Sequence, residues 1–296
     1  MHDGQILITS AQVAALIAEQ VPELAGLDIV AIDGAGTVNA VFRIGEKVTA
    51  RFPLQASEPD DTLAQLRLEA AASAEFRQAS PFQAPTPLHI GRPGHGYPMA
   101  WATQSWLPGA TASPHSHAMS AQLALDVADL IHHLRGWTTR GRRFGGNGRG
   151  GRLEDHDEWI EQCITRSSGL LDTESMRALW SRFRALPRED PDVMCHGDLI
   201  PSNVLVSAER LAGVLDTGGF RPSDPALDLV AAWHFFDDEP REQLRDALGC
   251  CAVQWERGAA WAFQQAVGAY WYYEHSNPTM ADMGKTTLDR LCNAYA

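Results

Sequence analysis

Positive charge is in short supply in this chain. Lys and Arg number 24 against 37 Asp and Glu, for a net charge of −13. Such a chain repels nucleic acid and anionic membrane surfaces through its long-range field, and it tolerates or attracts a cationic small molecule. Cysteine is sparse as well. Cys163, Cys195, Cys250, Cys251 and Cys292 are odd in number, two are adjacent, and no C-x-x-C pair occurs. That pattern fits neither a disulfide framework nor a zinc site, and points to reduced thiols. No run approaches the ~18–20 apolar residues that span a bilayer. The opening Met1-His2-Asp3-Gly4 lacks the basic and apolar regions of a signal peptide. No internal repeat is present. Partners among nucleic acids and membranes are thereby excluded, and the expected location is cytoplasmic.

What is present is an ordinary globular balance. The 296 residues are 45% apolar and 21% charged, enough for a substantial core in one large domain or two lobes around a cleft. Thr9 or Ser10 can cap a helix with Val13, Leu16 and Ile17 on one face. A β-rich stretch follows. Residues 29–32, 40–44 and 48–52 read as strands, the last stopped by Pro53, with turns at 33–37 and 45–46. An acidic loop at 58–61 leads into a helix over 62–78. A proline-rich segment, 81–97, precedes a pair of strands around 99–106, and Pro108-Gly109 marks a boundary. The expected division is therefore 1–107, an antiparallel sheet with a helix, and 108–296, mainly helical: an α+β chain. Residues 119–136 form an amphipathic helix. The Gly/Arg-rich stretch 141–152 follows a helix, whereas a phosphate loop follows a strand, so it reads as a plain loop. Beyond 156 the chain is helical apart from short strands around 203–206 and 212–215.

The chemistry is concentrated in one segment. His196-Gly197-Asp198-Leu199-Ile200-Pro201-Ser202-Asn203 has the form H-x-D-x4-N. In a kinase catalytic loop the Asp takes the proton of the attacking hydroxyl and the Asn ligates Mg2+. Val204–Val206 and Gly213–Leu215 then read as a hairpin that delivers Asp216-Thr217-Gly218 to the place of a second metal ligand. Asp198 is the expected catalytic base, and Asn203 and Asp216 the expected metal ligands. Gly218 is expected to permit a sharp backbone exit. Gly34, Gly36, Thr37 and Asn39 lie in a turn between strands, where a flap would cover the phosphates of ATP or GTP. Arg51 on the third strand stands where a phosphate-pairing Lys is expected, with Glu69 as its ion-pair partner. Backbone groups of Gln104, Ser105, Trp106 and Leu107 are placed to meet the nucleotide base.

With these motifs, and with Arg51-Phe52-Pro53, Ser105-Trp106-Leu107-Pro108-Gly109, Leu215-Asp216-Thr217-Gly218 and Asp224-Pro225-Ala226-Leu227-Asp228-Leu229, the chain resembles the aminoglycoside phosphotransferase family over most of its length. The resemblance implies a bilobal protein-kinase-like fold, Mg2+, a nucleoside triphosphate, and transfer of the γ-phosphoryl group to a hydroxyl of a small-molecule acceptor. Arg51 in place of Lys, and Thr217-Gly218-Gly219 where the family often has an aromatic or acidic residue, depart from the family pattern without removing a catalytic group. His196 is expected to brace the loop, and Asp224 and Asp228 to cap loops and helices.

The acceptor is left open. The C-terminal helices are aromatic (Trp233, Phe235, Phe236, Trp255, Trp261, Tyr270, Trp271, Tyr273) and acidic (Asp237, Asp238, Glu239, Glu256, Glu274). Acids suit the ammonium groups of an aminoglycoside, and aromatics suit a macrolide or a sugar face. Equally, the aromatics are core and the acids a solvated surface. An antibiotic kinase, a metabolite kinase acting on a sugar or amino alcohol, and a catalytically silent kinase-like binding protein are the three readings.

Overall fold

The computed structural model describes residues 5–32 and 38–295. Gly34, Gly36 and Thr37, with the rest of the expected phosphate flap, lie outside the described residues. The chain divides into two compact units. The first comprises 1–78, 83–108 and 216–219, and the second 79–82, 109–215 and 220–296.

The first unit begins with α1 (Ser10–Gln20), where Thr9 and Gln12 form a reciprocal capping box and Val13, Leu16 and Ile17 are buried. The strands β1 (Ile29–Ala31), β2 (Asn39–Ile44) and β3 (Val48–Pro53) follow. Then come α2 (Pro59–Ala79), β4 (Pro87–Gly91) and β5 (Trp101–Ser105). The sheet order is β1-β2-β3-β5-β4, and every neighbouring pair is antiparallel. Its core stacks Phe52 on Trp101 at 5.2 Å and sets Phe42 and Tyr97 edge-on to Phe52.

Two elements differ from the sequence expectation. Helix α2 starts at Pro59, inside the stretch read as an acidic loop. Pro at a first helical position and Asp60 and Asp61 in the first turn both favour a helix start there. Of the pair of strands expected around 99–106 only β5 lies there, and the strand that pairs with it on the outer side, β4, lies within the proline-rich segment. That is possible because β4 is an edge strand and Pro87 is its first residue, so no ladder hydrogen bond is lost.

The second unit is mainly helical. It contains β6 (Ala110–Thr111), α3 (Ala121–Gly136), α4 (Asp157–Arg166) and α5 (Thr173–Arg184). Short strands follow: β7 (Val193–Cys195), β8 (Val204–Ser207), β9 (Arg210–Val214) and β10 (Arg221–Ser223). Helices α6 (Val230–Phe235), α7 (Asp238–Leu248), α8 (Ala252–Tyr273) and α9 (Pro278–Tyr295) complete it. β7 and β10 escape sequence reading because three residues carry too little pattern to register. Helices α8 and α9 pack closely. A side chain on Gly284 would come within 2.9 Å of the Ala266 carbonyl oxygen. Among the described residues no helix is long and apolar enough to cross a membrane.

Five of the C-terminal aromatics belong to the core, while Tyr270, Trp271 and Tyr273 are half-buried. Trp233, Phe235, Phe236, Trp255 and Trp261 are at most 4% exposed. Several of the acids are held by arginines: Asp237 by Arg290 at 2.9 Å, Glu256 by Arg182 at 3.0 Å, and Asp238 by Arg241. These features offer an acceptor far less than their sequence positions suggest.

Candidate active site

The catalytic loop runs from the end of β7 to the start of β8, and buried groups of the second unit hold its shape. Asp228 accepts from the backbone N–H of His196 at 2.7 Å and of Gly197 at 2.9 Å, one bond to each carboxylate oxygen. Burial pushes the Asp228 carboxyl above its ordinary value, while those two N–H groups and His196 favour the anion. His196, 1% exposed, donates from Nε2 to Leu215 O at 2.9 Å and accepts from the Asp198 N–H at Nδ1, 3.2 Å. Those two bonds fix its tautomer and make it a brace between the loop and the end of β9.

Asp198 itself is partly open, its side chain 38% exposed. Asn203 sits in the turn Pro201–Asn203 and donates from Nδ2 to Asp198 O at 2.9 Å and to Asp198 Oδ2 at 3.2 Å. This double bond sets the amide orientation, since a flipped amide would face two oxygens with its own oxygen. Asn203 Oδ1 is therefore the atom offered away from the base.

The other carboxylate oxygen, Asp198 Oδ1, meets two donors that sequence reading did not anticipate. Arg149 Nη2 lies at 2.6 Å and Gln265 Nε2 at 3.0 Å. Behind Gln265, its Oε1 is 2.7 Å from His234 Nε2, and His234 Nδ1 is 2.8 Å from Thr287 Oγ1. The directions follow from the donors available. Gln265 gives its N–H to Asp198, so its oxygen accepts from His234 Nε2–H, and His234 Nδ1 accepts the Thr287 hydroxyl proton. Burial holds the His234 imidazole neutral by lowering its pKa to about 4. Helices α6, α8 and α9 are thus linked to the base through a directional series of hydrogen bonds.

Arg149 belongs to the Gly/Arg-rich stretch read as a plain loop. The stretch has no helix or strand, but it is tied down. Phe144 N–H donates to Asp192 at 2.8 Å, Asp224 N–H donates to Gly150 O at 2.8 Å, and Arg221 Nη2 donates to Asn147 O and Arg149 O, each at 3.3 Å. Gly150 has φ +110°, and a side chain there would come within 2.8 Å of Ser223, so only glycine fits. Arg257 joins the anchor with Nη2 on Gly151 O at 3.3 Å, while its Nε and Nη2 bind Asp224, at 3.0 and 2.5 Å. Only the Gly/Arg composition hinted at Arg149. For Gln265 and His234 no sequence signal existed, because their roles come from helices distant in the chain.

In the first unit, β3 places Arg51 Nη2 2.9 Å from Asp216 Oδ1. Their side chains are 22% and 48% exposed. Such a pair is worth at most about 1 kcal/mol, so a ligand can displace it. Glu69, the partner expected for Arg51, instead accepts from Gln65 on its own helix at 3.0 Å. The long Arg51 side chain reaches the more exposed Asp216 carboxylate. Asp216 has φ +53°, a left-handed conformation that costs a non-glycine residue about 1–3 kcal/mol and is typical of functional positions. Gly218 is required for space rather than for a left-handed turn. A side chain there would meet Glu69 Cβ at 2.9 Å and Cγ at 3.0 Å.

Asn39 opens β2 opposite Pro53. It and Glu69 line a pocket of ≈ 380 Å³ with Val38, Gln55, Thr62 and Gln65. Gln104 and Ser105 end β5. Ser105 Oγ accepts from Thr86 N–H at 2.8 Å. The backbone N–H groups of Ser105 and Trp106 are bonded to Thr86 O and Lys47 O. The Trp106 ring lies under Arg43 at 4.8 Å, and Leu107 follows, half-buried.

Each of the two expected metal ligands, Asp216 in the first unit and Asn203 in the second, offers an oxygen donor. A carboxylate at Asp216 and an amide oxygen at Asn203 are hard ligands, and Mg2+ takes one or two carboxylates, waters and substrate phosphates. Among the described residues no cluster of three His, Cys, Asp or Glu stands ready to hold a metal by itself.

Residues 29–261 match the model of the phosphotransferase enzyme family. A search of curated proteins gave no significant match. Among solved structures, the GDP and kanamycin complex of APH(2")-IIia is 15% identical with a TM-score of 0.73, covering 97% of this chain and 100% of that one. ADP-bound aminoglycoside phosphotransferase APH(2'')-Ib is 13% identical, with a TM-score of 0.62 and 96% and 99% coverage. The apoenzyme of macrolide 2'-phosphotransferase MphH from Brachybacterium faecium is 18% identical, with a TM-score of 0.60 and 94% and 97% coverage. The fold is theirs, a protein-kinase-like one, and the chain belongs to the phosphotransferase enzyme family.

Proposed function

We propose that the protein transfers the γ-phosphoryl group of ATP or GTP, with Mg2+, to a hydroxyl of a small molecule. The observation that carries this reading is the Asp198–Asn203 pair. One amide bonds the base through its nitrogen and thereby turns its oxygen outward as a metal ligand. Asp198 orients the acceptor hydroxyl and takes its proton as the new P–O bond forms and the bond to the leaving nucleoside diphosphate breaks. Asn203 and Asp216 would hold Mg2+, which supplies charge neutralisation at the β- and γ-phosphates. Arg51 would leave Asp216 for a phosphate oxygen. With the N–H groups of Ser105 and Trp106 already bonded, the nucleotide base would be met by backbone carbonyls of Gln104, Ser105 and Trp106 or by Leu107.

The acceptor class starts wide. The structural neighbours keep aminoglycosides and macrolides in the screen, beside sugars and amino alcohols as metabolite acceptors. Thermal melts with Mg-ATP, Mg-GTP, each nucleotide without metal, and no ligand test the donor half. A metal-dependent rise in Tm with one nucleotide is expected. No metal-dependent effect with either would favour a silent binding protein.

A further inference from the structure

We infer that the acceptor carries an anionic group, a carboxylate or a phosphate ester, close to the hydroxyl that is phosphorylated, and that Arg149 recognises it. This rests on the kinase reading above and names the substrate class of that site. The chain as a whole is acidic, which would draw a cation. The surroundings of the base are the reverse. Of the arginines in the stretch 140–152, Arg149 reaches Asp198, while Arg142 bonds Thr139 and Met194 and Arg152 pairs with Glu154.

Arg149 and Arg221 are held side by side there. Arg221 lies over the Phe144 ring and donates to the carbonyl oxygens of Asn147 and Arg149. Burial, and then the neighbouring charge of Arg149, lower the proton affinity of Arg221. The carboxylates nearby are committed elsewhere: Asp224 to Arg257 and Trp261, Asp228 to the loop N–H groups. The anion that Arg149 meets is the catalytic base.

Asp198 Oδ1 already takes Arg149 and Gln265, and Oδ2 takes Asn203. Oδ1 is filled, so a hydroxyl reaches that oxygen only if one of its two donors leaves, and Gln265 is fixed from behind by His234. Arg149 is the donor with freedom to change. Its side chain is 31% exposed, and its Nε is an enclosed donor without an acceptor among the described residues. An acceptor bearing a carboxylate or phosphate draws the guanidinium fork onto itself and frees Oδ1 for its own hydroxyl. A polyammonium acceptor would instead bring like charge against Arg149 and Arg221.

The full-length protein is assayed with Mg-ATP against acceptors matched for charge, with the product read by mass. Gluconate and glycerol phosphate form the carboxylate and phosphate arms. Glucose and glycerol are their neutral partners, and kanamycin is the cationic one. At least one anionic acceptor should exceed its neutral partner in kcat/KM by about tenfold or more, the size of one charge-assisted hydrogen-bonded pair. Arg149→Gln should collapse that ratio through the acceptor KM, with the KM for Mg-ATP retained, and Arg149→Lys should restore part of it. In parallel, gluconate and inorganic phosphate are titrated into nucleotide-free protein by calorimetry. Wild type should bind one of them and Arg149→Gln should not.

Preference for glucose or kanamycin, or no anion binding by wild type, overturns the inference. So does an Arg149→Gln variant that slows neutral and anionic acceptors equally, which would assign Arg149 to the transferred phosphoryl group. Arg149-dependent anion binding without any Mg-nucleotide effect would uphold the subsite and sink the kinase reading instead.

Discussion

Replacing His234 with Phe tests whether the base is positioned from behind. The ring volume is nearly kept in a site that is 0% exposed, so packing changes little. Two hydrogen bonds disappear, at 2.7 Å to Gln265 and 2.8 Å to Thr287. Neutral bonds contribute about 1 kcal/mol each, and each buried partner left unpaired adds about 1–3 kcal/mol. Thr287 is buried and loses an acceptor, but its hydroxyl can turn to a carbonyl of its own helix, which favours the lower end. A destabilisation of about 2–4 kcal/mol is expected in urea melts. The functional consequence is separate. Without His234 the Gln265 amide can flip and turn its oxygen toward Asp198, so kcat should fall about tenfold while the KM for Mg-ATP holds. Adding Thr287→Val should recover stability, since it removes the stranded hydroxyl, but not kcat. Loss of stability with kcat within twofold of wild type would refute the positioning role and leave His234 as a core residue.

Three further outcomes follow from the same geometry. Asp228→Asn replaces an anion that accepts two loop N–H groups with an amide that can accept on one side only, and should cost about 2–4 kcal/mol with a larger loss in kcat than in nucleotide affinity, read by melts and kinetics. Gly218→Ala drives a methyl into Glu69 and should cost about 1–3 kcal/mol, with weakened metal-dependent nucleotide stabilisation in thermal melts. His234, facing Gln265 and Thr287 with Arg149 and Arg290 nearby, has its folded pKa depressed to about 4. The unfolded chain therefore binds its proton first as pH falls, and stability drops between about pH 6.5 and pH 4 by up to roughly 3 kcal/mol. In His234→Phe that part of the acid sensitivity should vanish from denaturant midpoints taken across the range.

How much of this was legible in the sequence depended on how local each feature is. The catalytic loop and the Asp216 turn were readable because their spacing is the chemistry, and the hairpin between them spans few residues. The strands of the first unit followed from alternation and turns, except β4, whose prolines argue against a strand until its place at the sheet edge is known. Arg149, Gln265 and His234 come to Asp198 from 49, 67 and 36 residues away in sequence numbering, and nothing in their neighbourhoods announces that meeting. The acids and aromatics of the C-terminal helices left two readings open, an acceptor site or a core with a solvated surface. The buried tryptophans and arginine-paired carboxylates serve packing.

The account turns on Asp198 as the base. Asp198→Asn keeps the shape of the side chain and can keep one hydrogen bond to the surrounding donors, but it cannot take a hydroxyl proton. Turnover of the best acceptor by this variant, measured alongside Mg-nucleotide binding, is the most direct test. Transfer should fall by about 10²–10⁴-fold with nucleotide binding retained. Turnover equal to that of the wild type would contradict the assignment.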